Sequence, residues 1–161
     1  MGLLNKIRKS LVLTKLRLKY KKQIDIKKIY FNRGLKILLG KDGFLEIGNE
    51  TFFNNFCSIN CLEKISIGDN CLIGEGVKMY DHNHIFNLKN RSIRDCDLKT
   101  KPIFIGNNCW IGSNVVILSG TKIGDNCVIG AGVVLKGDVP EGSIVKNANN
   151  FTIEKINFIN K

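Results

Sequence analysis

At 161 residues, 43% of them hydrophobic and 24% charged, the chain has the size and balance of one globular domain with room for a core. Its net charge of +11 does not argue for nucleic acid, because residues 1–28 carry ten Lys/Arg against one acid while the rest carries fifteen against thirteen. No run reaches the length of a membrane span, and Lys6, Arg8, Lys9, Lys15 and Arg17 break every apolar stretch that could act as a secretory leader, so a reducing cytoplasm is expected.

Residues 1–30 read as a basic amino-terminal segment with a short helix. "LLNKIRKSLVLTKLRLKYKK" mixes leucines with eight basic residues and no acid. Two roles fit it. One is a cap over the open first coil of a repeat structure. The other is an interfacial helix, with residues 1–22 touching anionic lipid at the inner face of the membrane. Residues 24–46, with "KIYFN" and "LKILLG", read as irregular strands leading into the next region.

From there the chain runs on a step of six. Aliphatic or aromatic residues fall at Ile47, Phe53 and Ile59, at Ile67, Ile73 and Met79, and at Ile105, Ile111, Ile117, Ile123, Ile129 and Leu135. The step from 59 to 67 is eight, which lengthens one corner by two residues. A period of six fits neither a 3.6-residue helix nor a plain hairpin alternation. It fits a short strand followed by a sharp corner. Three such strands make a triangular coil of eighteen residues, and stacked coils place residue i over i+18. "IGNNCWIGSN" from 105 and "IGDNCVIGAG" from 123 obey this, and "IGDNCLIGEG" from 67 aligns with both. Glycine and asparagine follow the aliphatic position because corners need backbone angles those residues tolerate. The predicted fold is all-β, with the repeat domain over residues 31–145.

Between about Tyr80 and Lys101 the period fails. Asp81, Lys89, Arg91, Arg94, Asp95, Asp97, Lys99 and Lys101 lie there, too many charges for an apolar prism, so residues 80–101 are expected as an extruded loop. Of the six cysteines, Cys71, Cys109 and Cys127 share one slot, four after an aliphatic residue, where a small inward side chain is wanted. No C-x₂-C spacing is present, and packing is the expected role.

Both histidines of the chain lie in "DHNH" at the start of the loop, as His82 and His84. Three readings compete. A neutral imidazole suits a general base near neutral pH. Two histidines on one side of an extended strand suit a metal, with Asp81 or Cys96 adding a ligand, although zinc wants three or four protein ligands. A polar loop without chemistry is the third.

"DHNH", "PIFIGNNCWIGS" (102–113) and "IGAGVVLKGDVPEGS" (129–143) together resemble the hexapeptide-repeat acyltransferases, in the branch of the galactoside and maltose O-acetyltransferases and the acetyltransferases of surface-polysaccharide synthesis. The resemblance covers roughly residues 45–142. It implies a left-handed parallel β-helix, a homotrimer, acetyl-coenzyme A as acyl donor and no metal. The implied acceptor is a sugar or polysaccharide precursor, not nucleic acid. The family's catalytic histidine falls on His84, which would take the proton of an acceptor hydroxyl. Trp110 matches a tryptophan lying against the pantetheine arm or the acceptor. Ser113 matches the residue whose backbone N–H faces the thioester. Gly130, Ala131 and Gly132 match the strip along which pantetheine lies, Lys136 matches a position near the cofactor phosphates, and Gly112 and Leu135 are further expected cofactor contacts. Asn54 and Asp81 are the expected acceptor contacts. Leu62 stands where the family often has aspartate, and "KNANNFTIEK" (146–155), in a tail over 146–161, replaces the usual Gly-x-Pro-Ala motif.

Two other functions stay open. One is N-acetylation of a nucleotide-linked amino sugar. The other is a binding solenoid without catalysis, which predicts an unbroken repeat and no loop.

Overall fold

The computed structural model describes residues 3–147, with side chains from residue 10 onward. The chain starts as one helix, α1 (Leu3–Tyr20), and a 3-10 turn at Lys21–Gln23, and then winds into triangular coils of short strands. The first coil holds β1 (Ile24–Ile26), β2 (Tyr30–Phe31) and β3 (Lys36–Leu39). The second holds β4 (Phe44–Ile47), β5 (Phe52–Phe53) and β6 (Ser58–Cys61), and the third β7 (Lys64–Ile67), β8 (Leu72–Ile73) and β9 (Lys78–Tyr80). There the chain leaves the prism as an antiparallel pair, β10 (His82–His84) and β11 (Leu98–Thr100). It re-enters as β12 (Ile103–Ile105), β13 (Trp110–Ile111) and β14 (Val116–Ile117). Then come β15 (Lys122–Ile123), β16 (Val128–Ile129) and β17 (Val134–Leu135), followed by β18 (Asp138–Val139) and β19 (Ile144–Val145).

Strands in equivalent positions pair in parallel. They form face A (β1, β4, β7, β12, β15, β18), face B (β2, β5, β8, β13, β16, β19) and face C (β3, β6, β9, β14, β17). This is the expected left-handed parallel β-helix with a short helical segment ahead of it and an extruded loop. The first coil begins at Ile24, ahead of the boundary at residue 31, so the stretch read as lead-in strands is itself a full coil.

The six-residue step explains the core. In each face one inward residue per strand stacks on its equivalent: Ile47 on Ile67 on Ile105 on Ile123, Phe53 on Ile73 on Ile111 on Ile129, and Ile59 on Met79 on Ile117 on Leu135, while the longer strands of faces A and C bury a second residue such as Leu45 or Ile65. All are buried. Removing one such side chain to alanine costs about 2–5 kcal/mol.

The A–B corner is held by a second set of columns. Asp125 Oδ1 accepts the Asn107 N–H at 2.7 Å, Asn107 Oδ1 accepts the Asp69 N–H at 2.8 Å and Asp69 Oδ1 accepts the Asn49 N–H at 2.6 Å. Asn70, Asn108 and Asn126 turn this corner with φ of 56, 53 and 58°, the left-handed region asparagine tolerates. Beneath them, buried Cys71, Cys109 and Cys127 donate their S–H to Gly106, Gly124 and Pro140 carbonyls at 3.1–3.2 Å. All six cysteines are unpaired and buried, so the packing role holds. Burial pushes the Cys57 thiol up to about 11, and burial with the neighbouring Asp81 charge pushes Cys61 to about 12.

Helix α1 closes the open end. Val12, Leu13 and Leu16 pack on the core, Arg17 donates to the Ile26 carbonyl at 3.1 Å, and the Gln23 amide bonds the Gly40 and Gly43 carbonyls at 2.8 and 2.9 Å. Val12, Leu13 and Leu16 are thus placed as a cap would place them, while Leu11 and Leu18 stay exposed. No helix among the described residues is long and apolar enough to cross a membrane. The tail beyond residue 147 lies outside the described residues.

Candidate active site

The extruded segment builds its own small wall. In the β10–β11 pair His82 faces Thr100, Asn83 faces Lys99 and His84 faces Leu98. Ile85 N–H donates to the Asp97 carbonyl at 3.1 Å, extending the pairing. Against the prism this wall leaves a cavity of about 420 Å³ whose lining includes His84, Asn83, Lys99, Lys101, Ser119 and Lys136, together with the apolar Ile85, Phe86 and Leu88. Asn83 Nδ2 donates to Ser119 Oγ at 3.4 Å, tying the loop to the next coil.

The two histidines separate here. His84 is exposed and lines the cavity. His82 is partly buried, with its Nδ1 3.1 Å from Asp81 Oδ1 and its ring edge-on to Tyr80 at 6.1 Å. Asp81 is fully buried, and its two oxygens accept the Leu62 N–H at 2.8 and 2.9 Å and the Glu63 N–H at 2.7 Å. A carboxylate so engaged pins the corner of the coil below, a structural role beside the acceptor contact that the resemblance implies. Asn54 is half-buried, and its Oδ1 accepts the Asn55 N–H at 2.8 Å and the Asn32 amide at 3.0 Å, beside the acceptor contact that the resemblance implies. Leu135, expected at the donor, belongs to the inward column of face C. Its side chain is 8% exposed and packs inward, leaving only its backbone near any ligand.

The residues expected along the donor are on the other edge of face C. Gly112, Ser113, Gly130 and Ala131 form the B–C corner of consecutive coils, and Gly132 N–H donates to the Ser113 carbonyl at 2.8 Å. The backbone N–H groups of Ser113 and Ala131 make no hydrogen bond among the described residues, and both residues are exposed. They are two donors, one coil apart, without a hydrogen-bond partner among the described residues. The neighbouring glycines are demanded by the fold itself: a Cβ on Gly112 would lie 2.6 Å from Ala131 N. Trp110 points outward from face B at 54% exposure, between Leu72 and Val128. Of the donor set only Lys136 reaches the His84 cavity. Within one chain, then, His84 and the Ser113–Ala131 donors are not brought together.

Among the described residues no group of three or more His, Cys, Asp or Glu converges as a metal site would require. Lys99, Lys101, Asn83 and Ser119 were not singled out as site residues from sequence.

The repeat matches the family model "Bacterial transferase hexapeptide (six repeats)" over residues 102–137 and "Hexapeptide repeat of succinyl-transferase" over 64–77. The solved structure of a galactoside acetyltransferase in complex with coenzyme A is 30% identical, with a TM-score of 0.63, covering 90% of this chain and 72% of that one. The chain belongs to the hexapeptide-repeat acyltransferases. A hexapeptide-repeat-containing acetyltransferase of Vibrio cholerae, solved with acetyl-coenzyme A, is 28% identical with a TM-score of 0.68, covering 84% of this chain and 71% of that one. The galactoside O-acetyltransferase of Escherichia coli is 34% identical over 129 residues, 80% of this chain; that match is 59% of the relative, so the chain spans under two thirds of its length.

Proposed function

We propose that this hexapeptide-repeat acyltransferase moves an acetyl group from acetyl-coenzyme A to a hydroxyl of a sugar or surface-polysaccharide precursor, with His84 as general base. The observation that carries this reading is the placement of His84, an accessible imidazole on the wall of a cavity formed where the loop leaves the prism. Acetyl-coenzyme A supplies the thioester. His84 takes the proton of the acceptor hydroxyl as its oxygen bonds to the thioester carbon, a role worth about 10²–10⁴ in rate. The unengaged N–H of Ser113 is suited to the oxyanion that forms, an effect of about 3–4 kcal/mol. As the carbon–sulfur bond breaks, the imidazolium returns its proton to the thiolate. His82, held by Asp81, has a positioning role in the loop.

The two halves of this machinery sit on opposite edges of face C, so one subunit must lend its loop to the B–C corner of the next. A head-to-tail contact of that kind closes as a ring, and we propose a homotrimer. The outward Trp110 fits a subunit contact in such a ring. The reading keeps the enzyme in the cytoplasm.

A thermal-shift titration with acetyl-coenzyme A, followed by thiol release in the presence of sugar acceptors, tests the activity. No shift and no release would sink it. Light scattering tests the ring: a monomer mass at micromolar concentration excludes the shared site.

A further inference from the structure

The cavity beside His84 carries a charge that the transfer chemistry does not require. Lys99, Lys101 and Lys136 line it, and no acid does. None of the three forms an ion pair among the described residues, where the lysines that do are Lys27, Lys28 and Lys64. Two of the three are placed by the fold rather than left free. Lys99 stands opposite Asn83 in the β10–β11 pair, so it shares a face with the residue between the histidines. Lys101 is tied at both backbone ends, its N–H to the Asp81 carbonyl at 2.8 Å and its carbonyl to the Gly120 N–H at 3.1 Å. Its stem lies along Gly120, where an added Cβ would come within 3.1 Å of Lys101 Cδ, and Gly120 has φ of +82°. Three cations facing one space without a counter-charge repel each other, and an anion placed among them relieves that repulsion.

We propose that this lysine wall selects an acceptor bearing a negative charge, a carboxylate or phosphate carried on the sugar itself. The inference rests on the acetyl-transfer reading, since that reading puts the acceptor hydroxyl at His84. Whatever stands in the cavity of the base stands beside the acceptor. The phosphates of the donor lie at the far end of the pantetheine arm from the thioester. Lys99 and Lys101, on the loop that bears His84, therefore face the acceptor.

A matched trio tests this: methyl glucoside, methyl glucuronide and glucose 6-phosphate, which differ only modestly in shape and mainly in charge. With two histidines in the chain, ¹³C-labelled histidine gives a resolvable His84 signal for titration. One or both anionic sugars should bind about tenfold or more tighter than the neutral one, since one charge-assisted hydrogen bond amounts to about that factor. The stronger of the two identifies carboxylate or phosphate as the preferred anion. The double substitution Lys99→Gln/Lys101→Gln should bring the trio to parity while leaving acetyl-coenzyme A affinity unchanged. Equal binding of all three sugars, or no binding of any, overturns the proposal. A loss of acetyl-coenzyme A affinity in the double variant also overturns it, because the lysines would then serve the donor. Failure of the unsubstituted protein to bind acetyl-coenzyme A at all is a different result, which removes the transfer reading.

Discussion

Two corners of the prism keep their length from coil to coil and the third does not. Across the B–C corner the step between inward residues is six in every coil, from Phe31 to Ile37 through Ile129 to Leu135. Across A–B it is six everywhere except the first coil, where Ile26 to Phe31 is five. Across C–A the steps are ten, eight, twenty-six, six and four, ending at Ile47, Ile67, Ile105, Ile123 and Val139. The difference has a physical source. The constant corners are filled by stacked backbone: a Cβ on Gly106 would lie 2.7 Å from Asp125 N, and one on Gly112 2.6 Å from Ala131 N. Side-chain ladders such as Asn49–Asp69–Asn107–Asp125 further lock the A–B corner. The variable corner lacks such a continuous ladder and uses individual devices, the Asp81 carboxylate for one coil and the Gln23 amide for another. A loop can leave there without breaking a column, and there the cavity lies.

The largest expected effect concerns what leaves at that corner. His84→Ala should lower turnover by about 10²–10⁴ with little change in acetyl-coenzyme A affinity, whereas His82→Ala should cost much less. Thiol-release kinetics on both variants decide it. Near-normal transfer in both would mean that the extruded corner holds no catalytic group.

Next in size are the devices that hold each corner. Asp81→Ala removes the acceptor of the half-buried Leu62 N–H and of the Glu63 N–H and should destabilise by about 1–3 kcal/mol. Gly112→Ala on the constant corner forces a methyl against stacked backbone and should cost about 1–3 kcal/mol. Chemical denaturation measures both. A Gly112→Ala protein as stable as its parent would show that the constant corner has slack, and the contrast between corners would lose its cause.

The same contrast decides what the sequence revealed. Where corners are constant, the repeat writes itself into the chain, and Ile105 through Leu135 can be read by counting sixes. The first coil hid because its C–A step is ten and its A–B step five, so Ile26, Phe31 and Ile37 share no period with Ile47. The loop announced itself only as a failure of the period. The motif singles out His84, whose role is proposed, but Lys99, Lys101 and Ser119 become its neighbours only through the β10–β11 pairing and the stacking of the next coil. The burial of Asp81 beneath the corner is a fact of stacking that residue identity does not give. Whether Ser113 and Ala131 N–H groups are free cannot be read from residue identity, since it depends on which carbonyls the neighbouring coil presents.

The smallest expected effect is the sharpest test of the comparison. A Gly-Ser insertion between Asn90 and Arg91, at an exposed stretch of the extruded segment, lengthens a loop that already spans the step from Met79 to Ile105. Loop closure grows only logarithmically with length, so the entropic cost is on the order of 0.1 kcal/mol, and the melting temperature should move by less than about a degree. The same insertion between Asn107 and Asn108 meets a different corner. It separates the Asn107–Asp125 contact from the Asn108–Asn126 contact and displaces Cys109 from its column over Cys127. Every inward residue of β13 would then lose its partner above and below, and the protein should unfold many degrees earlier. Calorimetry on the two variants, alike in composition and length, reads the contrast directly. Equal melting temperatures would mean that the ladder at the A–B corner does not set the length of the coil.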